Sequence, residues 1–251
     1  MKKIIFSIFV LLLCSTMYAK SLTLVTLESP PSEYSENNIA KGSNVDIVKE
    51  ALKRIGYDVN IQFVPWKRAL FMVEKGQADG VIDAAYTKER AQYMYYPEEE
   101  IYVEEWYAFK KKGANITLDK NFQNAKDIRL GITRGFSYGG KIQDAIDNNM
   151  FIFLDESYNN ELNLKKVDAG RFDMFLGVKK TVFQLAKKLG YEDKISIVKM
   201  TETNKDYLLN LSKTYLGFSK KRVSQELVDD FSSALSIMKK DGTIDKINEK
   251  Y

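Results

Sequence analysis

Apolar positions along the chain change their spacing in a regular way. Residues 22–27 form a short β-rich run, broken at Glu28-Ser29-Pro30-Pro31. Val45, Ile47, Val48, Leu52 and Ile55 then recur at helical spacing up to Gly56, a fitting helix terminator. Residues 59–64 alternate as a strand does. Pro65 and Trp66 open a helix that runs to Lys75 and stops at Gly76. Proline suits a helix start, where its missing N–H is not needed. Residues 81–85 predict a third strand. Strand, helix, strand, helix, strand in this order predicts a parallel sheet.

A second series follows Gly113. Residues 128–132, 151–154, 172–176 and 195–200 read as strands. A turn at Gly135 leads into a helix from near Ser137, and 161–169 and 181–189 read as further helices. Two helices, 226–239 and 244–251, close the sequence around Asp241-Gly242. The chain thus holds two similar α/β units. Ligands of open α/β sheets bind beyond the carboxyl ends of the strands. Two such units side by side would enclose a cleft suited to hinge closure on a small molecule.

The first residues set the compartment. Lys2 and Lys3 precede an apolar stretch over 4–14 and a small, polar exit over 15–19. That layout predicts a secretory signal over 1–19, cleaved before Lys20, and a periplasmic protein. A retained anchor and a lipoprotein site at Cys14 are the alternatives; Leu13 is bulky for the latter. Cys14 is the single cysteine, so a cleaved chain has no disulfide and must rest on its hydrophobic core. The sequence has no histidine, which removes the commonest metal ligand and the commonest general base together. Histidine-based zinc sites and Ser-His-Asp triads are excluded, and no catalytic residue, metal or cofactor is predicted. The net charge of +4 is spread among interleaved acids and bases, which is no nucleic-acid footprint. Lys110-Lys111-Lys112 reads as a solvated connector, and a monomer is expected.

Six segments carry a family resemblance. They are Gly42-Ser43-Asn44-Val45-Asp46-Ile47, Pro65-Trp66-Lys67-Arg68-Ala69, Gly76-Gln77-Ala78-Asp79-Gly80, Thr87-Lys88-Glu89-Arg90, Tyr95-Tyr96-Pro97 and the stretch 240–247. In this order they resemble the extracellular solute-binding proteins of family three, the amino-acid-type periplasmic binding proteins of ABC importers. Pro-Trp-x-Arg-Ala resembles a recurrent variant. The resemblance implies a two-lobed type II periplasmic-binding-protein fold with the ligand cleft between the lobes. The first lobe would be discontinuous, 20–110 plus 215–251, and the second would span 111–214. A small-molecule ligand and an ABC permease of the inner membrane are the implied partners. A sensory receptor is the alternative partner, and a dehydratase-type enzyme relying on Glu or Asp as acid is the alternative activity.

The same resemblance places ligand residues. Arg90 matches the family's ligand arginine, whose planar guanidinium grips a carboxylate bidentately. Gly135-Phe136-Ser137 matches a loop offering backbone N–H groups at a helix start, where an ordinary serine cap is equally compatible. Trp66 could wall the cleft, Arg68 could be a second anion contact, and Tyr86 could stack on the ligand. Asp83 and Glu28 end strands and could reach inward. Plain packing, surface pairing and local structure are the alternatives for these. Family members that bind α-amino acids usually carry an acid five residues beyond the second-lobe aspartate. Counting from Asp173 puts Val178 there, so the ammonium of an ordinary amino acid would need Asp83 or Glu28 instead.

Overall fold

The computed structural model describes residues 20–251, so the expected signal segment and Cys14 lie outside the described residues. The first series of elements is β1 (Lys20–Thr26), β2 (Tyr34–Glu36), β3 (Ile39–Lys41), α1 (Ser43–Arg54), β4 (Tyr57–Phe63), α2 (Trp66–Lys75), β5 (Gly80–Ala85) and β6 (Met94–Tyr95). A long strand, β7 (Tyr102–Lys111), leads to β8 (Thr117–Leu118), β9 (Arg129–Thr133), α3 (Gly140–Asp147), β10 (Phe153–Ser157), α4 (Asn160–Asp168) and β11 (Met174–Val178). Then come α5 (Lys179–Leu189), β12 (Ile195–Ile197), β13 (Lys199–Met200), a second long strand β14 (Asn210–Ser219), α6 (Gln225–Lys240) and α7 (Thr243–Asn248).

The main sheet runs β10-β9-β11-β7-β14-β5-β1-β4. Its two ends are parallel trios, each with its first strand in the middle: β1 between β4 and β5, and β9 between β10 and β11. Between them β7 and β14 pair antiparallel to each other, from Trp106 opposite Asn210 to Tyr102 opposite Thr214. Strand alternation sorts the core into layers. Leu22, Leu24 and Ile82 pack with α1, α6 and α7, whereas Val25, Val81 and Ala84 pack with α2. In the other half Ala108, Leu130 and Leu176 pack with α3, and Tyr107, Phe109 and Phe175 with α4 and α5.

The same fastening appears in both halves. Asp79 ends a Gly-x-x-Asp turn, and its carboxylate accepts from Thr23 N (2.7 Å) and Arg222 Nε (2.7 Å). Asp173 ends the equivalent turn and accepts from Arg129 N (2.8 Å) and Arg129 Nη2 (2.7 Å). Each carboxylate thus ties the start of one strand to its parallel neighbour. Asp79 is buried, so Asp79→Ala strands the Thr23 N–H without a partner. A loss of about 1–3 kcal/mol is expected, measured as a lower urea midpoint at unchanged slope.

Two sequence expectations need correction here. The third helix starts at Gly140 with Gly139 at its cap, not near Ser137. Thr133 N donates to the buried Tyr138 hydroxyl (2.7 Å), and Gly139 and Gly140 both take positive φ, so the chain loops before it coils. The Lys110-Lys111-Lys112 run is not merely a connector, since β7 extends through Lys111. Half-buried Lys110 donates to the carbonyls of Ala114 (2.9 Å) and Ile116 (2.8 Å).

Candidate ligand-binding cleft

A cleft lies between the halves, and its closed walls leave about 40 Å³ of free space inside it. The first half contributes Leu27, Ser29, Trp66, Asp83, Ala85 and Arg90, and β7 contributes Glu104 and Trp106. The second half contributes Phe136, Ser137, Asn160, Val178 and Thr181. Contacts cross directly from one wall to the other. Trp66 Nε1 and Arg90 Nη2 both donate to the Gly135 carbonyl, each at 2.9 Å. The hydroxyls of Ser29 and Thr181 lie 3.4 Å apart. Phe136 sits edge-to-face against Trp66 (6.1 Å) and Trp106 (6.0 Å), joining the two walls with apolar contact. The conformation is therefore closed.

Arg90 follows β5 in a short 3-10 turn, where Thr87 Oγ1 accepts from its backbone N–H at 3.1 Å. Its guanidinium is buried, with 6% of the residue exposed, and stands 5.5 Å from the Trp66 ring centre. Nη1 donates to the Ala85 carbonyl at 2.9 Å, which fixes the plane of the fork. No carboxylate among the described residues pairs with it. Burial lowers its pKa, but a guanidinium keeps its charge at any physiological pH. The site therefore holds a fixed, desolvated positive charge with donor capacity to spare.

Acidic groups gather on the same floor. Asp83 has a positive φ of 71° within β5, beside the place where its pairing with β14 shifts register. Such irregularities re-aim a side chain. Burial raises the Asp83 carboxyl, moderated by hydrogen bonds with Thr214 and Glu104. Burial and the nearby Asp83 charge raise Glu104 well above the usual carboxylate range. Trp106 Nε1 donates to Glu104 Oε2 at 3.1 Å. Glu33 is fully buried behind them, and burial raises it as well. Asn44 Nδ2 bridges Glu33 Oε1 (2.5 Å) and Asp83 Oδ1 (3.2 Å).

Of the residues singled out from sequence, Arg90, Trp66, Asp83, Phe136 and Ser137 come together in the cleft. Three do not. Arg68 is exposed: it lies two residues beyond Trp66 on α2, about 200° around the helix, and so faces away. Tyr86 is 58% exposed and packs edge-on against Tyr96 at 5.2 Å. Glu28 is exposed, and both its oxygens accept from Ser35 N at 3.2 Å. Glu33, Glu104, Trp106, Asn160 and Thr181 escaped the sequence reading. For Glu104 and Trp106 a cue existed: they stand two apart in a strand, on one face.

Two lobes closed over a buried cleft, joined by two antiparallel strands, define a type II periplasmic-binding-protein fold. The chain belongs to the bacterial extracellular solute-binding proteins, family 3, whose profile matches residues 22–251. The probable amino-acid-binding protein YxeM of Bacillus subtilis (strain 168) is similar, with 22% identity over 227 residues, 90% of this chain and 81% of that protein. An ancestral arginine-binding protein bound to arginine has the same fold, at TM-score 0.77 and 21% identity over 94% of this chain and 99% of that one. So does a histidine kinase sensor domain with similarity to periplasmic binding proteins, at TM-score 0.77 and 14% identity over 92% and 95%. No helix among the described residues is long and apolar enough to cross a membrane.

Proposed function

We propose that this is an exported binding protein, not an enzyme, that captures a small carboxylate-bearing, amino-acid-like solute in the periplasm and delivers it to an ABC importer. The lobes, 20–110 plus 215–251 and 111–214, close over the solute by bending at β7 and β14. One observation carries the reading: a buried arginine with no carboxylate partner among the described residues faces the closed cleft between the lobes. An anionic group brought by the ligand supplies that partner. Trp66 and Phe136 wall it, and Ser137 offers further polar contact.

The direct test is mass spectrometry of small molecules released on denaturing the purified protein. A small carboxylate is expected; a neutral sugar or a metal complex would sink the proposal. Both tryptophans of the chain, Trp66 and Trp106, line the cleft. Adding the released compound to stripped protein should therefore shift the intrinsic fluorescence. An unchanged spectrum at saturation, judged by calorimetry, would place binding elsewhere. Delivery is tested by co-purification with an inner-membrane permease; capture of a receptor instead would move the protein to sensing.

A further inference from the structure

The cleft is lined by three ionisable side chains, Arg90, Asp83 and Glu104. With the ligand's carboxylate assigned to Arg90, two acids are left without a use. Resting on that assignment, we propose that Asp83 and Glu104, backed by Glu33, form a cation subsite, taking the ammonium or guanidinium group of a zwitterionic solute whose carboxylate lies at Arg90.

Four observations support this. First, no lysine or arginine among the described residues pairs with any of the three acids. Like charges at close quarters in low dielectric repel strongly, so such a cluster is stable only when protonated or when a cation joins it. Second, beyond Trp106 Nε1 on Glu104 and the Thr214 contact of Asp83, the cluster has few donors. Glu33 Oε2 is buried without any hydrogen-bond partner, and one amide, Asn44 Nδ2, already serves both Glu33 and Asp83. Native interiors rarely leave such an atom unsatisfied. Third, the opposite wall offers nothing charged: Phe136, Ser137, Asn160, Val178 and Thr181. Val178 occupies the place where the family resemblance put an amine-binding acid. Charge recognition has moved to the first lobe and β7. Fourth, no group of ligating side chains among the described residues is arranged to hold a metal ion. The cation proposed here is the solute's own, held by hydrogen bonds and charge.

The test uses thermal shift of the purified chain against the twenty common L-amino acids, 5-aminopentanoate, cadaverine and pentanoate. Every hit is then titrated calorimetrically beside the acid that lacks its amine. The strongest hits are expected to carry both a carboxylate and a cation. Asp83→Asn and Glu104→Gln should weaken these about ten- to a hundredfold, the scale of one charged hydrogen bond, and leave the amine-free acids nearly unchanged. Asparagine tolerates the left-handed conformation as aspartate does, so Asp83→Asn should fold, with a ligand-free melting temperature equal or higher. A lower melting temperature with undiminished amine affinity would assign the acids a structural role and overturn the subsite. So would a screen whose hits bind equally well without their amines, or one with no cation-bearing hit. Hits weakened by Asp83→Asn but indifferent to Arg90→Ala would sink the carboxylate reading instead.

Discussion

Arg90→Ala is expected to weaken binding of the captured carboxylate by about 2–5 kcal/mol, the scale for removing one partner of a buried charge pair. In affinity this is roughly thirtyfold to several thousandfold. The ligand-free protein should melt close to wild type. The substitution removes hydrogen bonds to the Ala85 and Gly135 carbonyls, but it also removes a buried charge with no carboxylate beside it, and the two effects oppose each other. Arg90→Lys serves as the control. It keeps the charge but loses the planar fork, so it should recover only a minor part of the affinity. Calorimetric titration decides. An affinity unchanged in Arg90→Ala would remove Arg90 from the site.

The largest effect on stability is expected at Gly42. Its φ is +122°, and a Cβ there would stand 2.1 Å from the Ser32 carbonyl oxygen and 2.9 Å from Glu33 N. Both obstacles are backbone and cannot rotate aside. The close approach is also needed: Ser43 N donates to Pro31 O (3.2 Å) and Asn44 N to Ser32 O (3.1 Å), which presses the Glu33 loop against the start of α1. Gly42→Ala should cost about 3 kcal/mol or more, combining backbone strain with a forced loop displacement. For a chain of this size that lowers the melting temperature by roughly 6–12 °C. Gly170 also has positive φ but open space around it, so Gly170→Ala should cost only about 1–2 kcal/mol. Equal melting temperatures for the two variants would refute the steric argument.

Local periodicity made most elements legible. The helices α1, α2, α4, α5 and α6 announce themselves by apolar spacing and by glycine stops at 56, 76 and 190. The two long strands were harder. Nothing within 102–111 says that Trp106 will stand opposite Asn210, about a hundred residues away, because that register is set by tertiary pairing. The resemblance alone implied that the chain leaves the first lobe near 110 and returns near 215. The same limit hid half of the cleft. Arg90 stood out through Thr87-Lys88-Glu89-Arg90, a local pattern, whereas Glu104 reads as one more charge in an acidic stretch until β14 and β5 close around it. Arg68, Tyr86 and Glu28 lie outside the lining of the closed cleft for the opposite reason. A helix start, a place beside Thr87 and a strand end suggested them, but a helix turn, an outward tyrosine and a local backbone contact sent each elsewhere.

The path of the chain also sets the order in which the residues of each core become available. The core beneath α1 needs Leu216, Phe218, Leu227, Phe231, Leu235, Ile244 and Ile247, which are the last of its members to be synthesised. Leu22, Leu24 and Ile47, made among the first, lack these particular partners until then. The buried residues of the other half's two cores all fall between 106 and 198 and are present before that. The middle of the polypeptide can thus reach its final shape while the beginning still waits for the end. Trimming α6 and α7 would not shorten a tail; it would leave the first half without its floor.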